Sequence, residues 1–485
     1  MKKFVILGSG TAGLIAATMI KRRWQGEVDV SVYYDFNKKN IGVGESTTPI
    51  VNYFLKEYLK VPLPKLLDET STTIKLGISF KDWIKETEYF HGFPELDINS
   101  KKKYPSSIYS ILNDCFDGGS LHHQPTTTLP GHFFDAFLFA LHLDTQEFSN
   151  YIYNQIKDEV TFIDDIAKKV NSDGKNIQSI VFKNSGEVKA DYFIDASGFN
   201  SILLNELNPE WNDMSKWLPL DRAIPQQIPY NFEEVPSYTV AEATENGWIW
   251  QIPIGNRYGT GYIYSSKFTS DHEAREKYDI WLRKKYNVGL DTDRIIKYNP
   301  GYYTDYWIGN CLAIGLSSGF IEPLESTGIH IIIQQVKDFI DYNSTLKNLE
   351  YNRKECNRRI KILYEEVSEF VCLHYATNRE DSEFWRYMKE NKTEWVKAFE
   401  QKCKQEFLEE DSIDKSKLFW NIDSYIQVAH GLKMFTKEGI LEFLKWIPNG
   451  DSVLESSRLD FMAIQKAKGY RIQVPHKDLL SQRNK

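Results

Sequence analysis

The chain has 485 residues, of which 41% are apolar and 26% charged, enough for two or three domains or one large composite fold around a sizeable core. A formal net charge of −8 without a long basic run argues against nucleic acid as a partner. The five cysteines, Cys115, Cys311, Cys356, Cys372 and Cys403, form no C-x-x-C pair, so neither a zinc site nor a disulfide framework is indicated and a reducing compartment fits. Residues 4–7 are apolar and follow two lysines, but the run is too short for a signal peptide and is cut by Gly8, Gly10 and Gly13. No apolar stretch spans a membrane, so a cytoplasmic location with no membrane partner is expected.

Residues 4–7 read as a short buried strand, 8–13 as a turn, 14–23 as a helix with apolar spacing at Leu14, Ile15, Met19 and Ile20, and 28–34 as a second strand. This βαβ unit fills the first ~35 residues, the length of a dinucleotide site. Its turn carries Gly8-x-Gly10-x-x-Gly13. Gly8 permits the tight bend, Gly10 lets backbone approach a pyrophosphate, and Gly13 lets helix and strand pack closely. The helix start, with Thr11 and Ala12, offers N–H groups and the positive dipole end to the phosphates. Asp35 is the acidic candidate for the ribose hydroxyls, with Tyr34 the alternative at that spacing. Alone, this motif is compatible with NAD or FAD.

Residues 41–49 (IGVGESTTP) place Gly42, Gly44, Glu45 and Ser46 in a loop able to lie against a ligand. Residues 70–83 read as a strand and turn, with Ile74, Leu76, Ile78 and Phe80 alternating. Residues 180–182 and 192–194 read as strands joined through a turn at 184–186. The second of them runs into Asp195-Ala196-Ser197-Gly198, suited to the carboxyl edge of a sheet where ligands bind. Residues 238–264 read as antiparallel strands broken at Gly255 and Gly259. Within them, Trp248 and Trp250 are two apart and share a face. A short strand at 312–315 leads into a Gly/Ser loop, 315–328, and then a helix over 329–340. Ser326 or Thr327 is placed to cap that helix. Its first-turn N–H groups suit a phosphate or a halide, with Glu325 just before the positive end. From about 347 to 446 the pattern is mostly helical. Residues 475–485 are polar and read as a frayed end.

Taken in order, GSGTAG, GVGESTTP, TIKLGISF, HFFDAF, DASGF, WIWQIP and GLSSGFIEPLESTGI resemble the flavin-dependent halogenases of the tryptophan-halogenase group, and His374-Tyr375, Arg379 and residues 381–386 extend the likeness. The resemblance implies an α/β fold: a FAD-binding Rossmann-type, flavin monooxygenase-like domain with an inserted β-sheet over 1–345, and a mostly helical part over 346–485 that completes the substrate pocket. It implies Lys75 and Glu325 as catalytic residues, Thr327 and Gly328 as the backbone halide site, and Leu316 and Ile329 as flavin contacts beside Gly315 and Asp195. Residues 42–47 match the strap between flavin and substrate chambers, and Ile166 an adenine-side contact. Trp248 and Trp250 keep substrate from the flavin, while His91 and Phe93 line the pocket. Lys75 is expected on the face opposite Ile74 and Leu76, where burial would lower its pKa.

The implied activity is that of a two-component enzyme. A separate NAD(P)H-dependent flavin reductase supplies FADH2, and O2 then converts bound chloride, bromide or iodide to hypohalous acid. That acid halogenates an electron-rich aromatic of indole or phenol type by electrophilic substitution. The alternative is an FAD-dependent monooxygenase that hydroxylates its aromatic substrate. A homo-oligomer is compatible with either. The family's enzymes for free tryptophan carry a paired-Tyr segment, then Glu and Phe, late in the chain. Here that region reads Trp420-Asn421-Ile422-Asp423-Ser424-Tyr425, then His430-Gly431, which shifts the expectation to another indole, a phenol or a larger aromatic.

Overall fold

A computed structural model describes residues 1–37, 44–93, 108, 139–229, 236–255, 257–414 and 419–468. Gly42, the segment 132–137, Cys115 and residues 475–485 lie outside the described residues. In chain order the framework begins with β1 (Lys2–Leu7), α1 (Thr11–Arg23), β2 (Val28–Tyr34), β3 (Thr73–Lys75), β4 (Gly77–Lys81), β5 (Glu88–Gly92) and β6 (Ala140–Leu143). It continues with β7 (Thr161–Asp164), β8 (Tyr192–Asp195), β9 (Arg222–Pro229), β10 (Thr239–Ala243), β11 (Gly247–Ile254), β12 (Arg257–Tyr264), α2 (Asp271–Tyr286) and β13 (Ile296–Lys297). Then follow β14 (Trp307–Ile308), β15 (Cys311–Ala313), α3 (Gly328–Tyr342), α4 (Glu350–His374), α5 (Glu383–Glu390) and α6 (Ile422–Gly431).

The chain forms two compact units: Met1–Thr72, Leu143–Ser215 and Tyr298–Glu365 make one, and Thr73–His142, Lys216–Lys297 and Glu366–Lys485 the other. This differs from two consecutive blocks meeting near residue 345. The physical reason is strand pairing: the first unit's central sheet takes neighbouring strands from distant parts of the sequence.

That sheet has the order β14-β15-β8-β1-β2-β7. Its pairs are parallel except at the β14 edge. A parallel sheet is covered on both faces, which explains the unbroken apolar run of β1, where Phe4 to Leu7 are all buried. Helix α3 buries Ile329, Ile331, Ile332, Ile333, Val336, Phe339 and Ile340. Each fully buried apolar side chain contributes roughly 1.5–3 kcal/mol relative to exposure. The turn at 184–186 leads into Gly186–Val188, which pairs back on Ile177–Phe182 as a hairpin, so β8 is reached one strand later than expected.

The second unit holds a seven-stranded sheet, β13-β9-β12-β11-β10-β4-β5, antiparallel apart from β10 with β4. Gly259 does not break it: the residue sits inside β12 opposite Ile252. One face, with Ile249, Tyr262 and Tyr264, is covered by α2 through Ala274, Tyr278 and Leu282. Helix α2 starts at a Ser270/Glu273 capping box and ends at Asn287 in the left-handed region. The stretch expected as one strand over 70–83 is two, β3 and β4, interrupted at Leu76.

Candidate active site

The first unit gathers the glycine motif and two further turns. Gly8 has φ +120°, and a Cβ there would lie 2.3 Å from the Ala196 carbonyl oxygen. A Cβ on Gly13 would meet the Gly8 carbonyl oxygen at 2.0 Å, so only glycine lets α1 rise this close to the strand end. Gly10 is the N-cap of α1. Neither a capping side chain nor an acidic residue occupies that first turn, which leaves the N–H groups at Thr11 and Ala12 without a side-chain acceptor from the cap.

Asp35 follows β2 directly and accepts the Asn37 N–H at 3.0 Å. Ile166 is 38% exposed just beyond the neighbouring parallel strand β7. The two therefore sit at the same carboxyl edge of the sheet, where an adenosine half would lie. The Asp195 carboxylate, fully buried, accepts the N–H groups of Ser197, Leu203 and Leu204 and the Ser197 hydroxyl. Its part in a cradle is to shape the turn. That turn is clasped to the next: Gly198 N–H donates to Ser317 Oγ at 2.9 Å, and Ser317 Oγ donates to the Gly198 carbonyl. Gly315, at φ +58°, brings its turn against α1, where an added Cβ would lie 3.3 Å from Ala12 Cβ. Leu316, next in the turn, is half-buried.

The same unit holds the segment implied to bind halide. Pro323–Glu325 is a single tight turn, Ser326 takes φ +61°, and α3 begins at Gly328. Glu325 and Thr327 are buried, and Ile329 is in the core. Gly328 is exposed, with nothing within 4 Å of where its Cβ would be. Thr327 occupies the N-cap position, yet no side chain caps α3; the expected Ser326 or Thr327 cap is absent because Ser326 turns left-handed and Thr327 is already helical. The first-turn N–H groups of Gly328 and Ile329 thus lack both an intrahelical partner and a capping side chain, the condition for anion binding. Beside them, His330 Nδ1 shares a 2.8 Å hydrogen bond with Thr48 Oγ1, tying α3 to the end of the strap segment. Burial pushes the His330 imidazole down to about 3, so it stays neutral at physiological pH. In the strap, Gly44 has φ +79° and burial pushes the Glu45 carboxyl up to about 7.

The second unit holds Lys75, 1% exposed at the end of β3 and opposite Ala140 of β6. Ile74 and Leu76 are buried too, so the expected alternation does not distinguish the faces: all of β3 is enclosed. The Lys75 ammonium lies 5.4 Å from the Phe93 ring centre. His91 is buried with its ring 5.5 Å from that of Phe370.

Trp248 and Trp250 project from one face of β11, away from α2, with ring centres 6.5 Å apart. Their neighbours on that face are Ala241 and Ala243 of β10 and Gly261 of β12. The Trp250 ring lies so close over Gly261 that a Cβ there would sit 2.1 Å from its edge. Trp248 faces Ile263 across the ladder and Trp250 faces Gly261, so a single glycine clears a single indole.

Arg379 carries a role that spacing could not reveal. Its guanidinium forks onto Asp381 at 3.0 and 2.9 Å and donates to the carbonyls of Asp82 and Thr244. Trp385 Nε1 also donates to Thr244, and Ser382 Oγ to the Glu245 carbonyl. The whole group grips the turn that feeds β11.

An uncapped, glycine-lined helix start at the edge of a parallel sheet, joined by two clasped turns, defines a Rossmann-type dinucleotide-binding enzyme. Cofactor chemistry is complemented by a second unit with an enclosed lysine and a paired-indole face. A model of the tryptophan halogenase family matches residues 3–441. Tryptophan 7-halogenase RebH of Lentzea aerocolonigenes is 30% identical over 426 residues, covering 80% of this chain and 79% of that protein. Tryptophan 6-halogenase SttH of Streptomyces toxytricini is 31% identical over 433 residues, covering 79% and 80%. Among solved structures, Tar14, a tryptophan C-6 flavin-dependent halogenase from taromycin biosynthesis, superposes with a TM-score of 0.83 at 25% identity over the full length of both chains. The fold of Xcc4156 from Xanthomonas campestris matches with a TM-score of 0.84 at 24% identity, over 99% of this chain and 98% of that one.

The chain belongs to the tryptophan halogenase family and is a flavin-dependent halogenase; hydroxylation is not the favoured activity. Among the described residues, no helix is long and apolar enough to cross a membrane.

Proposed function

We propose that the enzyme uses FAD, reduced elsewhere by a separate NAD(P)H-dependent flavin reductase, to halogenate an electron-rich aromatic of indole or phenol type. When bound, the reduced flavin supplies two electrons, so that FADH2, O2, halide and one proton give FAD, water and hypohalous acid. The chain's own residues do the rest. Gly8, Gly10, Thr11, Ala12 and Gly13 hold the pyrophosphate, Asp35 the ribose, and Ile166 the adenine side. Gly44, Glu45 and Ser46, with Gly42, form the strap. The N–H groups at Thr327 and Gly328 hold chloride, bromide or iodide. Lys75 receives the oxidant, and Glu325 orients it and takes the proton released as the ring regains aromaticity. The indoles of Trp248 and Trp250 keep the aromatic substrate from the flavin.

The observation that carries this reading is the burial of Lys75, a long cation enclosed in a β-strand where desolvating a charge is costly. The pocket aromatics His91 and Phe93 support a flat substrate. The segment at the free-tryptophan clamp is used for packing: Trp420 stacks on Phe370 at 4.0 Å, the Glu366 carboxylate accepts the N–H groups of Phe419 and Trp420, and Asn421 caps α6. That arrangement supports an aromatic other than the free amino acid.

The test supplies FAD, a flavin reductase, NADH, each halide and a panel of indoles and phenols including free tryptophan, with products read by mass spectrometry. Halogenated product is expected from the wild type and none from Lys75→Ala, with flavin binding retained. Halogenation undiminished in Lys75→Ala would sink the assignment of Lys75.

A further inference from the structure

We propose that Phe93 is a positioning residue for Lys75, its ring face holding the ammonium where the oxidant arrives; this rests on the role given to Lys75 above. The Lys75 Nζ lies 5.4 Å from the Phe93 ring centre, within the range of cation–π attraction. Lys75 is 1% exposed, so its charge has lost most of its water and an aromatic face counts for more there than at the surface. The ring is not the sole contact of Lys75.

The backbone sets this geometry. Phe93 N–H donates to the Leu76 carbonyl at 3.2 Å, and Leu76 N–H donates to the Ser237 carbonyl at 2.7 Å, so the residue after Lys75 is tied on both sides. The next pair in the ladder is Gly77 with Gly92. A Cβ on Gly77 would lie 2.4 Å from the His91 carbonyl oxygen and 2.6 Å from the Phe90 ring, so the two strands meet where only glycine fits. A slip of register would carry Phe93 away from Lys75. The interruption between β3 and β4 falls at Leu76, directly between Lys75 and this pinned pair.

The consequence concerns the form in which Lys75 acts. A ring quadrupole attracts an ammonium and does little for a neutral amine. The contact therefore favours Lys75 as a charged hydrogen-bond donor to hypohalous acid over Lys75 as an amine that takes up the halogen. Phe93 serves the substrate ring and the lysine at once.

Two measurements test this. The first needs no cofactor. In protein labelled with lysine carrying 13C at Cε, a ring-current-shifted upfield signal is expected, absent in Lys75→Arg and moved to the ordinary position in Phe93→Leu. A Lys75 signal already at the ordinary position in the wild type overturns the proposal. The second replaces Phe93 by mono-, di- and trifluorophenylalanine, which weakens the quadrupole while keeping the shape. A stepwise fall in halogenation kcat, reaching about tenfold, is expected with Tm unchanged, beyond any change in KM from the ring's contact with the aromatic substrate. A flat kcat overturns it. A wild type with the upfield signal but no halogenation would refute the proposed function and leave the contact standing, so the two failures are distinct.

Discussion

Replacing Arg379 by methionine keeps much of the side-chain volume and removes the fork. Four side-chain hydrogen bonds disappear: two to Asp381, one to the Asp82 carbonyl and one to the Thr244 carbonyl. Breaking a buried ion pair from one side costs about 3–5 kcal/mol. The Arg379 side chain is 6% exposed and that of Asp381 26%, so partial rehydration of the orphaned carboxylate places the loss near the low end, roughly 3 kcal/mol. For a cooperative unit of this size that corresponds to a fall in Tm of roughly 6–12 °C. Lysine at this position should recover little, because it offers a point charge instead of a planar fork.

The pH dependence gives a sharper test of the same contact. The Arg379 guanidinium holds the Asp381 carboxyl at about 2, below its ordinary 3.8. A depressed folded-state pKa means that the stabilisation is complete above the ordinary value and is lost as pH falls toward 2. It amounts to roughly 2 kcal/mol. Denaturant melts of wild type and Arg379→Met should differ most above pH 4 and converge between pH 4 and 2. A constant offset across that range would refute the reasoning. Because the grip acts on the turn before Trp248, halogenation in the variant is expected to fall without vanishing.

Gly261→Ala should destabilise by about 1–3 kcal/mol through overpacking against the Trp250 ring, and Trp250→Leu should relieve part of that loss in the double variant. Strictly additive effects in denaturant melts would count against the contact. For His330, the folded-state value of about 3 lies below the ordinary 6.5, so unfolding takes up a proton between those limits and stability declines as pH falls from 6.5 toward 3. His330→Gln should flatten that decline; an unchanged slope would show that the imidazole is not enclosed in solution. Gly13→Val pushes a side chain into the Gly8 carbonyl and should weaken FAD binding at least tenfold, read by titration of flavin fluorescence. Binding within twofold of wild type would argue for a different cradle.

The nucleotide half of the enzyme was legible because its signals are local. A strand, a glycine turn and a helix lie within the first 23 residues, and glycine at 8 and 13 reports backbone approaches that no other residue allows. The two clasped turns at Gly198 and Ser317 were legible as loops, while the hydrogen bonds between them, spanning 119 positions, were not. Gly259 read as a strand break because glycine disfavours strands in isolation, whereas here the ladder runs through it opposite Ile252. The missing cap on α3 has a local cause. Ser326 and Thr327 have the right chemistry, but the tight turn at Pro323–Glu325 fixes their backbone angles before capping can be chosen. Lys75 itself came from resemblance, since alternation in a three-residue strand buried on every side gives no direction.

The order of strands in the first sheet bears on how the protein comes into being. Strand β1 needs β8 on one side, and β8 in turn needs β15, whose residues Cys311–Ala313 leave the ribosome long after Lys2–Leu7. At about 5–20 residues per second, roughly 15–60 s separate the two. During that interval the glycine turn exists without the Gly315 segment that closes it against α1. A nascent chain therefore holds an open sheet edge and an unfinished phosphate cradle for most of its synthesis. Flavin capture becomes a late event in biogenesis, and chaperone protection of that edge an early need.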